Sequence, residues 1–138
     1  MNVLLSIKPK YVDQIAKGSK KYEFRKSLFK RKDINAVYIY STSPIKKIVG
    51  KFTLGEVIRD KPENLWRKFK RSSGISREEF FIYFYAKKEG FAIELESVEF
   101  FKTALDPEAS IWNFSPPQSF CYFNDDLVKD LESRCAIC

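Results

Sequence analysis

The chain has no histidine among its 138 residues, and no other feature of its composition removes as much chemistry. The commonest general base is missing, and with it every Ser-His or Cys-His nucleophile pair. Cysteine is scarce. Cys121, Cys135 and Cys138 fall late in the chain, an odd, clustered set that argues against a disulfide framework. Cys135 and Cys138 form one C-x-x-C, whereas a zinc site usually adds a second such pair or histidines. The expectation is therefore no metal and no cofactor, with the pair a frayed tail. No apolar run approaches the roughly 20 residues that cross a bilayer. The opening MNVLLSIKPK has neither a charged leader nor a cleavage signal. These absences predict a cytoplasmic protein with no membrane partner.

Apolar and aromatic residues are plentiful, at 44% and 16%, enough for one packed core. The length fits a single domain over residues 1–138, without room for a second. Net charge is +7, and its distribution is uneven. Residues 8–51 hold 13 Lys/Arg against 3 Asp/Glu, while residues 89–138 hold 3 against 10. The first half thus predicts a basic face suited to a polyanion.

Hydrophobic periodicity outlines mostly strands, with two or three helices between them. Val3 to Ile7 reads as a buried strand, and Pro9 opens a helix carrying Tyr11, Val12, Ile15 and Ala16 that stops at Gly18. Residues 21–25 alternate, so Tyr22 and Phe24 face one way and Glu23 and Arg25 the other. A basic loop, residues 26–32, follows. Ala36 to Ser41 and Ile48 to Ile58 are strands, the second with Gly50 and Gly55 as bends or bulges. Helices are expected over 62–72 and 80–86, the latter opened by a Ser76/Glu79 capping box. Phe91 to Phe101 is a strand whose apolar face changes phase after Leu95, which predicts a bulge or a strand curling around a barrel. Residues 115–120 form a rigid turn into Cys121-Tyr122-Phe123, after which Asn124 caps a short helix through Leu131.

Residues 18–25, GSKKYEFR, contain G-x-K-x-x-E-x-R directly after a helix and leading into a strand. The glycine permits a tight exit. Glu23 and Arg25 project from one strand face, and Lys20 can join them to bind a phosphate and orient a base edge. The competing reading is a set of exposed ion-pairing residues.

The chain resembles the ASCH family of PUA-like domains. The matching segments run in the family's order: LLSIKPKY, GSKKYEFRK, YIYSTSP, GKFTLGEV and the late PPQSF. The resemblance implies an α+β fold, a mixed β-barrel of five to six strands with two to four flanking helices. It also implies a cleft lined by the signature, in a domain regarded mainly as RNA-binding. Carried over by position, Lys20, Glu23 and Arg25 occupy the signature, with Ser6 and Lys8 beside it. Ser41, Ser43, Gln118 and Ser119 are inferred as further lining. Some small ASCH proteins look like amidohydrolases that deacetylate N4-acetylcytidine with a Lys, a Thr and a Glu. The lysine matches Lys20, the threonine position holds Glu23, and no carboxylate stands at Ser73 or Gly74.

Two functions follow as expectations. The first is a module holding RNA, single-stranded nucleic acid or a nucleotide-like ligand in a basic cleft. Lys30, Arg31 and Lys32 would contact the backbone, and Tyr11, Tyr40, Phe120 and Tyr122 are the candidate stacking rings. The second is a hydrolase acting on a modified nucleoside or on RNA, with Lys20 and Glu23 as its catalytic pair. RNA versus DNA and the oligomeric state stay open.

Overall fold

The computed structural model describes residues 1–111, 114–127 and 129. Cys135, Cys138 and Leu131, the end of the expected last helix, lie outside the described residues. Chain order is β1 (Asn2–Ile7), α1 (Pro9–Ala16), β2 (Tyr22–Arg25), β3 (Ala36–Ser41), β4 (Lys47–Asp60), α2 (Pro62–Phe69), a 3-10 turn (Lys70–Ser72), α3 (Arg77–Tyr83), β5 (Gly90–Leu105), α4 (Pro107–Ser110) and β6 (Phe120–Phe123). The strands form one sheet in the order β2-β5-β4-β3-β1-β6, curled into a half-barrel. Only β1 and β3 pair in parallel; the other neighbours are antiparallel. This is the α+β architecture expected from the resemblance, left open between the two edge strands.

Alternation along the strands divides the core between the two faces of the sheet. Val3, Leu5, Val37, Ile39, Phe52 and Ile93 pack on one face with Val12 and Ile15 of α1. Leu4, Tyr38, Tyr40, Ile48 and Leu105 pack on the other, beneath Phe101, Phe114 and Phe123. A third cluster joins Phe24 and Ala92 to Leu65 of α2 and to Phe80 and Phe84 of α3. Phe80 is fully buried, and truncating such a ring costs about 3–5 kcal/mol. Among the described residues, no helix is long and apolar enough to cross a membrane.

The phase change in β5 is a bulge. Lys51 pairs with Glu99 and Thr53 with Glu96, so Ser97 and Val98 together oppose Phe52, and Ser97 takes a φ of +48°. Another bulge sets Gly55 and Glu56 against Glu94. Two boundaries differ from the sequence reading. The helix read as 62–72 tightens after Phe69 into the 3-10 turn, and α3 starts at Arg77 and ends at Tyr83. The earlier start follows from the cap, because Ser76 Oγ accepts from Glu79 N at 3.1 Å and the helix begins one residue after it.

Candidate functional site

A cleft of about 730 Å³ opens where the end of β1, the start of α1, β2 and α3 converge. Its floor is the signature. Gly18 ends α1 with φ +82°, and the chain doubles back so that Lys20 bridges Ser73 just after the 3-10 turn. Gly74 makes this approach possible. Its φ is +60°, and a Cβ there would run into the Lys20 side chain.

Lys20 and Glu23 are only 3% and 6% exposed. Lys20 Nζ donates to the Ser73 carbonyl at 2.8 Å, stands 3.5 Å from Glu23 Oε1, and lies over the rings of Phe24 and Tyr11. Glu23 Oε1 also accepts from Phe24 N, and its Oε2 lies 3.2 Å from an Arg25 terminal nitrogen. Arg25 reaches on to the Ser6 carbonyl at 2.7 Å and to Ser119 Oγ at 3.3 Å, while its buried Nε has no hydrogen-bond partner among the described residues. Burial pushes the Lys20 ammonium below its ordinary pKa. The Glu23 carboxylate opposes that shift and Arg25 adds to it.

Several expected residues share this cleft. Ser6, Lys8, Lys20, Glu23, Arg25 and Gln118 line it, and Ser119 touches it through Arg25. Ser6 Oγ donates to the Pro117 carbonyl, which fixes the PPQSF turn against β1. Others lie elsewhere. Ser41 is 2% exposed within β3, Ser43 is exposed beyond it, and Thr42 lines the wall between them. Lys30, Arg31 and Lys32 form a separate exposed loop held to β6. The backbone N–H groups of Lys30 and Arg31 both donate to Tyr122 Oη, and the Arg31 guanidinium pairs with Asp33 at 2.6 Å. Of the candidate stacking rings, Tyr11 lines the cleft, whereas Tyr40 is buried and Phe120 packs on Phe29.

The lip of the cleft carries what the sequence reading missed. Glu79, read only as a helix cap, sends its carboxylate back to α1, where Tyr11 Oη and Lys10 Nζ donate to it. Tyr83 adds a ring under Lys26, 4.5 Å from its ammonium, and Lys10 and Lys26 join Lys8 along the rim. The signal for Glu79 and Tyr83 was position in space, which helical spacing alone does not provide. Among the described residues, no cluster of three or more His, Cys, Asp or Glu side chains could hold a metal ion.

The curled half-barrel, taken with the relatives that follow, supports an ASCH domain. Residues 1–113 match the family described as "Domain of unknown function (DUF365)", and the chain belongs to that family. It is 26% identical over 132 residues to a Zymomonas mobilis protein named ASCH domain-containing ribonuclease, covering 94% of this chain and 89% of that one. The crystal structure of ASCH from Zymomonas mobilis superposes with a TM-score of 0.87 at 23% identity, over 96% of this chain and 94% of that one. The N-terminal domain of Staphylothermus marinus McrB shares the fold more distantly, with a TM-score of 0.63 at 13% identity, over 96% of this chain and 93% of that one.

Proposed function

We propose that this protein is a binding module for single-stranded RNA and that its cleft takes one unpaired nucleotide against Lys20, Glu23 and Arg25. One observation carries the reading: two buried charged side chains, Lys20 and Glu23, meet the mostly buried Arg25 at the floor of an open cleft. Desolvating such groups costs several kcal/mol each, and apolar residues would stabilise the fold at least as well. A charged set buried despite that penalty fits a recognition role beside its structural one. The rim favours the same ligand, because Lys8, Lys10 and Lys26 can meet phosphates while Tyr11 and Tyr83 offer rings to a splayed base. The name of the Zymomonas mobilis relative points toward RNA as well.

The test is a fluorescence titration of short RNA and DNA single strands at about 50 and 200 mM salt. With roughly four to six phosphates neutralised, affinity should fall by about a hundredfold or more. Absence of binding at low salt, or binding indifferent to salt, would remove this reading.

A second reading has its own support. A buried lysine whose pKa is lowered can serve as a base, and the relative is named a ribonuclease. On the ribonuclease reading, neutral Lys20 takes the proton from a ribose 2′-hydroxyl as its oxygen bonds to the neighbouring phosphorus, the P–O5′ bond breaks, and the proton passes by way of Glu23 to the departing 5′-oxygen. Cleavage of RNA, or deacylation of N4-acetylcytidine, by the native protein but not by Lys20→Met would favour it over binding alone.

A further inference from the structure

The cleft is polar in two opposite senses. Its floor offers donors, the Lys20 ammonium and the Arg25 guanidinium. Its lip offers acceptors. Tyr11 on α1 and Lys10 beside it converge on a single oxygen of Glu79, with Lys10 Nζ at 2.8 Å from Oε2 and the Tyr11 hydroxyl donating to the same atom. A carboxylate oxygen has two lone pairs, so these donors occupy Oε2. Glu79 Oε1 has no hydrogen-bond partner among the described residues. The Tyr11 proton is committed to Glu79, so its hydroxyl can only accept from a ligand. The hydrogen bond from Lys10 first, and then that from Tyr11, lower the pKa of the Glu79 carboxyl. The side chain remains 43% exposed and belongs to the cleft wall.

We propose that Glu79 is the specificity-determining residue of this cleft, its free Oε1 accepting a hydrogen bond from the exocyclic amine of a nucleobase and so selecting cytosine over uracil. The inference rests on the RNA-binding reading above and adds which base the site takes. Cytosine and uracil have nearly the same outline and differ at position 4, where one carries an amine and the other a carbonyl. A fixed carboxylate accepts from the amine and repels the carbonyl. Tyr11 is the positioning residue, because its hydroxyl and Lys10 fix the rotamer that leaves Oε1 free. Stacking alone would not separate the two pyrimidines, since both present similar ring faces.

The experiment compares binding of oligocytidylate and oligouridylate of equal length, at one salt concentration, by the native protein, Glu79→Gln and Tyr11→Phe. The native protein should prefer cytosine by about tenfold, the range of one good polar base contact. Glutamine carries both an acceptor and a donor and can turn to serve either base, so Glu79→Gln should bring the ratio within about twofold. Its backbone N–H still meets Ser76 Oγ, so the helix cap survives the substitution. Tyr11→Phe keeps the ring under Lys20 but releases the carboxylate, and the ratio should fall between the other two. RNA binding with equal affinity for both oligomers, or a preference that Glu79→Gln leaves intact, would overturn the role of Glu79 while sparing the RNA-binding reading. A native protein that binds neither oligomer would overturn both.

Discussion

Arg25, on the edge strand β2, donates from a terminal nitrogen to the carbonyl of Ser6 on β1 at 2.7 Å, and this hydrogen bond ties one edge of the sheet to the strand beside the opposite edge. Among the described residues no strand pairing closes the half-barrel there, and this side chain bridges the gap. The same guanidinium meets Glu23 and Ser119, a three-way fork that only a planar, multi-donor group can make.

Arg25→Lys should therefore behave as a damaging substitution. Lysine keeps the charge but cannot reach three acceptors in one plane, leaving at least one buried acceptor unpaired at about 1–3 kcal/mol. Urea denaturation should show a lower midpoint with an unchanged slope. A midpoint equal to that of the native protein would mean the seam is held by something else.

Glu23 has both oxygens engaged, by Lys20 and Phe24 N on one side and Arg25 on the other. Removing it altogether in Glu23→Ala strands two buried cations and should cost on the order of 3–5 kcal/mol. Glu23→Gln retains the shape and one acceptor, so its destabilisation should be smaller, about 1–3 kcal/mol. Thermal and urea unfolding of the pair gives the ordering. If the two variants were equally stable, the Glu23 charge would be idle in the folded state.

Lys20 makes stability depend on pH. Its folded pKa lies below the ordinary 10.5, so between the two values the unfolded chain holds a proton that the folded protein has released. In that window the unfolded state binds more protons, and stability gains with rising pH from this group. The tyrosines Tyr11, Tyr22, Tyr40 and Tyr83 have raised values that act in the opposite direction, so the comparison must be with Lys20→Met. The difference in unfolding free energy between native protein and variant should shift in favour of the native protein as pH rises toward 10.5. A difference constant from neutral pH up to 10.5 would contradict the buried ammonium.

Changing Lys30, Arg31 and Lys32 together to Ala tests whether charge away from the cleft contributes to RNA affinity. Two of the loop's anchors are backbone amides donating to Tyr122, which alanines retain, so the fold should persist with unchanged circular dichroism. Affinity should fall by similar factors for all base compositions, and the salt slope should shrink by about 0.7 for each phosphate the loop no longer neutralises. A change in base preference at constant overall affinity would place base reading in this loop.

Much of this protein was legible in the chain. A short apolar run marked β1 and β-branched and aromatic residues marked β3, strands buried on both faces, while alternation marked β2 and the phase change of β5. Pro9, Gly18 and Ser76 marked helix ends, since each answers a backbone requirement within a residue or two of itself. The GSKKYEFR segment placed Lys20, Glu23 and Arg25 together because the three lie within six residues, so local geometry nearly suffices. What lay beyond the chain's local grammar depended on residues distant in sequence. Ser73 reaches Lys20 across 53 positions, and Glu79 reaches Tyr11 across 68. Neither pairing leaves a trace in spacing or composition. The sheet order decides both, since it folds α3 and the 3-10 turn over β2 and brings α1 to the same mouth. That convergence buries Lys20 and brings the Glu79 carboxylate to the cleft wall, and both effects exist only in the assembled structure.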